Sequence, residues 1–327
     1  MPPVRFHART LTSTAALALA IGMLAILAPT AAGKPPSCTV SNTDTDQAFG
    51  SLQAAVSAAG AGDTLQVKGH CVGITTVAKD ITIEGVGGTP TLDGGRAGTV
   101  LHITDGTTTI DGLKITNGVA NVEAAGVCCS GGGIAISGST AAAHVVDSVV
   151  TRNSAIDFGG GIENDGGKLE LTDSSVTQNT ASSSGGIDNP FATATLTRST
   201  VSGNTAAGGT NCQDVGSCAG GLWNFGGTLT LVDSVVSGNT ATRRGGGIVN
   251  QTPDGGPTAL LTLSGTTSIT NNRAYSDPTV NLGGGIWIRD PGSAVTTATP
   301  DWTGSIVRNK PDQCSPTVTI DSFICGP

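Results

Sequence analysis

Glu163 and Asp188 hold the same place in two successive copies of one short phrase, "GGGIEN" at Gly159–Asn164 and "GGIDN" at Gly185–Asn189. Other copies put Ala135, Trp223, Val249 and Trp287 at that position. If the copies stack as strands, Ile162 and Asn164 turn inward and Glu163 turns outward, with Asp188 about 4.8 Å away along the stack. Two carboxylates at that spacing suit glycoside chemistry or a bound calcium ion, and Trp223 one copy later would offer a flat face to a sugar ring. The competing reading is a solvated acidic edge whose tryptophans are covered by loops, because no base or cation partner is specified beside the acids. Glu163 and Asp188 are thus the candidate catalytic or ligand-binding acids and Trp223 and Trp287 the candidate ligand-binding aromatics, with no catalytic role assigned.

The other chemistry-bearing residues are dispersed. His70, His102 and His144 stand one per region and read as surface or turn residues, not catalytic bases. Nothing resembles a phosphate loop or a zinc pattern. "GGGIENDGG" is similar to a calcium-binding nonapeptide, but it occurs once and with the wrong spacing. No cofactor is expected beyond a calcium ion at the acid pair.

Placing the acids requires the repeat. Aligned on the apolar residue after the glycines, the copies run Ile134, Ile162, Ile187, Leu222, Ile248, Ile286, in steps of 28, 25, 35, 26 and 38 residues. Each unit holds three short period-two alternations broken by Gly, Asn, Asp and Ser, such as "GIEN", "KLELTD" and "SVTQN", which predict strands and turns. Three such strands cannot close a core alone, but stacked units can if each strand pairs in parallel with its counterpart one coil later. The expected fold is all-β: a parallel β-helix, right-handed by the crossover rule, with three short strands per coil. Val150, Val176, Val201, Val236, Ile269 and Ile306 each precede an asparagine by three residues, giving a column of Asn153, Asn179, Asn204, Asn239, Asn272 and Asn309. A second column is Asn164, Asn189, Asn224 and Asn250, and a serine column is Ser148, Ser174, Ser199 and Ser234. Stacked amides hydrogen-bond along the axis, and asparagine tolerates the left-handed backbone of a corner. The long inserts fall between Asn117 and Ile134, Asn204 and Leu222, and Asn272 and Ile286, always at one corner, where they would wall the Glu163 column.

Residues 1–33 combine a basic start, the apolar run "ALALAIGMLAILA" and a small-residue end, which predicts a secretory signal peptide and an extracellular, secreted chain. No later stretch is apolar enough for a membrane span. Residues 34–327 then form a single domain: a cap at 34–70, repeats over about 71–310 and a C-terminal cap at 311–327. Losing Arg5 and Arg9 with the signal takes the formal charge from −8 to −10, which argues against nucleic acid as partner. Glycine is 49 of 327 residues and aromatics only 3%, so no core of large rings is available. All eight cysteines follow the signal, which suggests structural disulfides. Cys38 with Cys71 would pin the N-terminal cap, Cys314 with Cys325 would clasp the other end, and Cys212 with Cys218 would close an insert. Adjacent Cys128 and Cys129 would bond to each other or stay reduced.

The G-G-x-I and V-x-x-N or I-x-x-N pairs, "GGGI" at Gly131, Gly159, Gly245 and Gly283 with "SVTQN" and its copies, resemble the polymorphic outer-membrane-protein repeat, with Val or Ile in place of its Phe. That repeat belongs to the pectin-lyase-like right-handed β-helix class, and the similarity covers about residues 115–310. "GSLQAAVSAAGAGDTLQVKG" at Gly50–Gly69 looks like the entry of such helices, an amphipathic capping helix followed by the first strand. No translocating barrel is expected after Pro327. Resemblance to the enzymes of the class would require a calcium-holding acid cluster with a basic residue, or close aspartates with a Gly-His-Gly segment, and neither set is present. The expectation is therefore a non-catalytic scaffold that binds an extracellular polysaccharide or a surface protein. The alternative is a polysaccharide lyase or glycoside hydrolase that acts on acidic polysaccharide through the acid pair.

Overall fold

Runs of three to five alternating residues are too short to fold by themselves, and in this chain each is paired to its counterpart in the next repeat. The computed structural model of the protein describes residues 37–121, 129–208, 218–275, 283–289, 295–315, 318–320 and 323–325. Among them the repeats wind into a parallel β-helix with three main ladders and a narrow fourth. The first sheet holds the strands after the glycines, including Ile134–Ser137, Ile162–Asp165, Ile187–Pro190, Leu222–Phe225, Ile248–Gln251 and Ile286–Arg289. The second holds Ala141–Val146, Lys168–Thr172, Thr193–Thr197, Thr228–Val232 and Leu260–Ser264. The third is a ladder of nine strands ending in Ser305–Val307. A fourth, narrow ladder of two-residue strands, among them Ser154–Ala155, Thr180–Ala181 and Thr205–Ala206, lies between the third sheet and the first.

The register is the one the apolar columns demand. Ile162 pairs with Ile187 and Ile187 with Leu222 in the first sheet, and Val176 with Val201 and Val201 with Val236 in the third. These side chains are buried and fill the tube with Ile, Leu and Val. Because period-two alternation sends every second residue inward, a slip by one position would expose the entire column, so the repeat fixes its own register.

The asparagine columns are buried amide ladders. Asn153 Nδ2 donates to Asn179 Oδ1 at 3.1 Å, Asn179 to Asn204 at 3.1 Å, Asn204 to Asn239 at 3.0 Å and Asn239 to Asn272 at 3.0 Å. In the first sheet Asn164 donates to Asn189 at 2.8 Å, Asn189 to Asn224 at 2.9 Å and Asn224 to Asn250 at 2.8 Å. One expectation is corrected: in the long ladder the asparagine does not take the left-handed turn. The residue before it does, as at Arg152, Gln178, Gly203, Gly238, Asn271 and Arg308, all with φ between 56° and 64°. Turning at that residue aims the following amide into the tube, where its hydrogen bonds replace those the chain loses at the corner.

At the N-terminal end the expected helix spans Leu52–Ala58, with the Ser51 hydroxyl accepting from the Ala54 amide and Leu52, Ala55 and Val56 buried. Thr39–Asn42 pairs antiparallel with Thr64–Lys68, so the edge of the first coil is covered instead of left open. A Cys38–Cys71 disulfide ties this strand to the coil, as expected. Cys129, Cys218 and Cys314 are also disulfide-bonded. Cys128, Cys212 and the Cys325 side chain lie outside the described residues, as do residues 1–36 with the expected signal. The expected Cys212–Cys218, Cys314–Cys325 and Cys128–Cys129 pairings therefore fall outside them too.

Candidate functional site

Strand alternation sets which face Glu163 takes, and the corner segment decides what lies on that face. Ile162 and Asn164 point into the tube and are fully buried. Glu163 points to the opposite side and pairs in register with Asp188, which pairs with Trp223. That side was expected to be open to solvent, and it is not. Glu163 is 8% exposed, Asp188 4%, Trp223 3% and Trp287 6%. The chain entering each first-sheet strand folds back across its outer face. Gly159, at φ +56°, lies so close that a Cβ there would stand 2.8 Å from Glu163 Oε2 and 2.5 Å from the Ile162 carbonyl oxygen. Ala219, Trp223, Val249 and Trp287 form a second apolar cluster outside the tube, with Phe158 and Phe225 packed on it. The long inserts expected to wall the column run through residues 122–128, 209–217 and 276–282, which lie outside the described residues.

Between this cover and the strands sits a pocket of about 250 Å³ lined by Phe158, Glu163, Asp165, Asp188, Pro190, Phe191, Trp223 and Phe225. Its rings form a continuous wall. Phe158 and Trp223 have centroids 5.7 Å apart, Trp223 and Phe225 6.2 Å, and Phe225 and Phe191 5.4 Å, all tilted or edge-to-face. Phe191 is 53% exposed and stands at the rim. The structure therefore joins Glu163, Asp188 and Trp223 in one site. Trp287 is not in it: Val249 lies between it and Trp223 in the ladder, and Arg244 stacks over its ring at 5.0 Å.

The electrostatics of the acids follow from their burial. Burial pushes the Glu163 carboxyl well above the usual carboxylate range, reinforced by the charges of Asp188 and Asp165, the hydrogen bond to Asp188 and the charge of Asp157. Burial also raises Asp188, with Asp165 adding to it, whereas the hydrogen bond from Glu163 pulls it down. Two carboxyls this close and this buried cannot readily both ionise, so they titrate as a pair whose proton belongs to neither residue alone. Glu163 Oε2, Asp188 Oδ1 and Trp223 Nε1 have no hydrogen-bond partner among the described residues. Buried polar atoms left without a partner are uncommon in folded proteins, and three belong to residues that line this one pocket. No group of three or more His, Cys, Asp or Glu among the described residues is arranged to hold a metal ion.

The histidines are dispersed, as expected, but one is not at the surface. His70 pairs with Asp93 at 3.0 Å and His144 with Glu170 at 3.3 Å, both partly exposed. His102 is 8% exposed, in the same column as Glu163 two coils earlier, and burial lowers its pKa. Its alternation already marked it for the outer face of the first sheet, and the same covering buries it.

Phe158, Asp165, Pro190, Phe191 and Phe225 line the pocket without having been among the expected site residues. A signal was available: three of only six phenylalanines fall within two repeats on either side of Asp188, too local for a chain so poor in rings. The chain matches no protein-family model, no curated protein and no solved structure.

Proposed function

We propose that the protein is an exported right-handed β-helix of the pectin-lyase-like class, with repeats of the polymorphic outer-membrane-protein type, that binds extracellular glycan or a surface partner without catalysis. The observation that carries the reading is the pocket at Glu163, Asp188 and Trp223, where three buried polar atoms lack a partner among the described residues. A ligand with a donor for the acids and an acceptor for the indole would satisfy all three, whereas an empty pocket leaves each desolvated. The apolar N-terminal run supports export, and no helix among the described residues is long and apolar enough to cross a membrane.

Binding is favoured over hydrolysis by the placement of the acids. They stand side by side on neighbouring strands and share a hydrogen bond, whereas glycosidases set two carboxyls on opposite sides of the scissile bond, about 5 Å or more apart. The enzyme reading keeps one support, that a carboxyl held protonated in an apolar pocket is what a general acid needs. The test is to incubate the mature protein with neutral and acidic polysaccharides, with and without calcium, while following heat, reducing ends and unsaturated products. Heat without products supports binding. Products that disappear in Glu163→Gln would replace this reading with the hydrolase or lyase.

A further inference from the structure

The pocket has one sign of charge. Glu163, Asp165 and Asp188 line it, Asp157 adds to its field, and no Lys, Arg or His is among the described residues that line it. An acidic sugar would bring like charge into a buried site, where it is least screened. The ring wall of Phe158, Trp223, Phe225 and Phe191 carries negative π-faces that attract a cation, and more strongly when water is excluded. Carboxylates beside aromatic faces therefore select an ammonium group. The indole adds a second requirement: Trp223 Nε1 needs an acceptor that the ammonium cannot supply, so the ligand must carry an oxygen near its nitrogen. At about 250 Å³ the space is smaller than the roughly 300–1,000 Å³ of drug-sized sites, which suits one compact group and not an extended chain.

We propose that this pocket takes a hydroxylated organic ammonium group, such as the free amine of an unacylated amino sugar. The inference rests on the binding reading above and narrows it. The ammonium donates to Glu163 Oε2 and Asp188 Oδ1, a neighbouring hydroxyl accepts from Trp223, and the aromatic faces hold the carbon framework. The charges facing Glu163 are Asp188 on the next coil, Asp165 on its own strand and Asp157 on the covering corner; its partner on the preceding coil is Ala135, which has none. With only acids around it, the pair holds a proton when the pocket is empty. The incoming ammonium replaces that proton, which leaves to solvent, so binding strengthens as pH rises.

The experiment is calorimetric titration of the mature chain with glucosamine, N-acetylglucosamine and choline. Glucosamine is expected to bind at least about tenfold tighter than its N-acetyl form, the difference a charge-assisted hydrogen bond makes. Its affinity should rise with pH over the range in which the empty pocket still holds its proton, by up to about tenfold per pH unit, with buffer-dependent heat from the released proton. E163Q/D188N should reduce glucosamine to the N-acetyl level. Phe191→Ala, at the exposed rim, should weaken it several-fold with an unchanged melting temperature. Equal binding of both sugars without pH dependence would overturn the ammonium inference while the binding reading stands. Choline tighter than glucosamine would overturn both the amino sugar and the donated hydrogen bonds, because its quaternary nitrogen has no N–H to give. No heat with any of the three, together with none from the polysaccharide panel, would remove both readings.

Discussion

Asn204→Ala removes one rung from the long amide ladder, and its cost can be worked from the bonds that rung makes. Asn204 Nδ2 donates to Asn239 Oδ1 at 3.0 Å and to the Val176 carbonyl at 2.9 Å. Asn204 Oδ1 accepts from the Asn179 amide at 2.9 Å and from Asn179 Nδ2 at 3.1 Å. Some partners are partly rescued: Asn239 Oδ1 keeps the Asn204 backbone N–H at 3.0 Å, and Asn179 Nδ2 keeps the Val150 carbonyl at 3.0 Å. The buried Asn179 backbone N–H is left with no acceptor. Hydrogen bonds contribute about 1 kcal/mol each and a buried orphan costs about 1–3 kcal/mol, so with partial rescue the loss is about 3–5 kcal/mol. Urea unfolding followed by circular dichroism, read at more than one wavelength because repeat arrays depart from two-state behaviour, measures it. A loss under about 1 kcal/mol would show that water or relaxed geometry satisfies the Asn179 amide and that the ladder is not a main source of coil stability.

Other outcomes follow from single features. Cys38→Ser with Cys71→Ser, which opens a link across 33 residues, should cost about 3–4 kcal/mol in the loop-entropy account and loosen the N-terminal cap first, readable by amide exchange over residues 39–68. Gly159→Ala places a Cβ against the Ile162 carbonyl at a left-handed position and should destabilise by about 1–2 kcal/mol or more while shifting the Glu163 side chain, seen as a lowered melting temperature with weakened ligand binding. Burial lowers the His102 pKa, so its contribution to stability is complete above about pH 6.5 and is lost as pH falls through its folded value; His102→Gln should flatten that part of the stability–pH curve.

The columns were legible in the sequence because one periodic rule governs them. Ile162, Ile187 and Leu222 must share a face if each strand alternates, and that alone brings Glu163 beside Asp188. The asparagine ladders were legible for the same reason, although the residue that takes the left-handed turn was not, since Arg152, Gln178 and Gly203 share no side-chain property. Burial of the acid pair escaped because alternation states which side of a sheet a residue takes and not what lies over that side. The cover comes from the chain that enters each strand, Phe158 and Gly159 in this coil, and its packing over the outer face is not encoded in the alternation. His102 was misplaced by the same gap. Of the eight lining residues, Glu163, Asp188 and Trp223 were thus legible in the repeat, and the other five were not.

The claim that the acid pair is kept for a ligand and not for the fold is tested most directly by the stability of E163Q/D188N against wild type over a pH series without ligand. A carboxyl whose folded pKa is raised binds more protons folded than unfolded, so its contribution is fullest below about pH 4 and declines as pH rises toward the folded value. The amide variant has no such titration, and subtracting the two curves cancels His102 and every other shared group. The account predicts that the variant is more stable near neutral pH by about 1–2 kcal/mol, that its advantage shrinks toward acid pH, and that it no longer binds ligand. A variant less stable than wild type at every pH, with ligand binding intact, would contradict it and make Glu163 and Asp188 a structural pair.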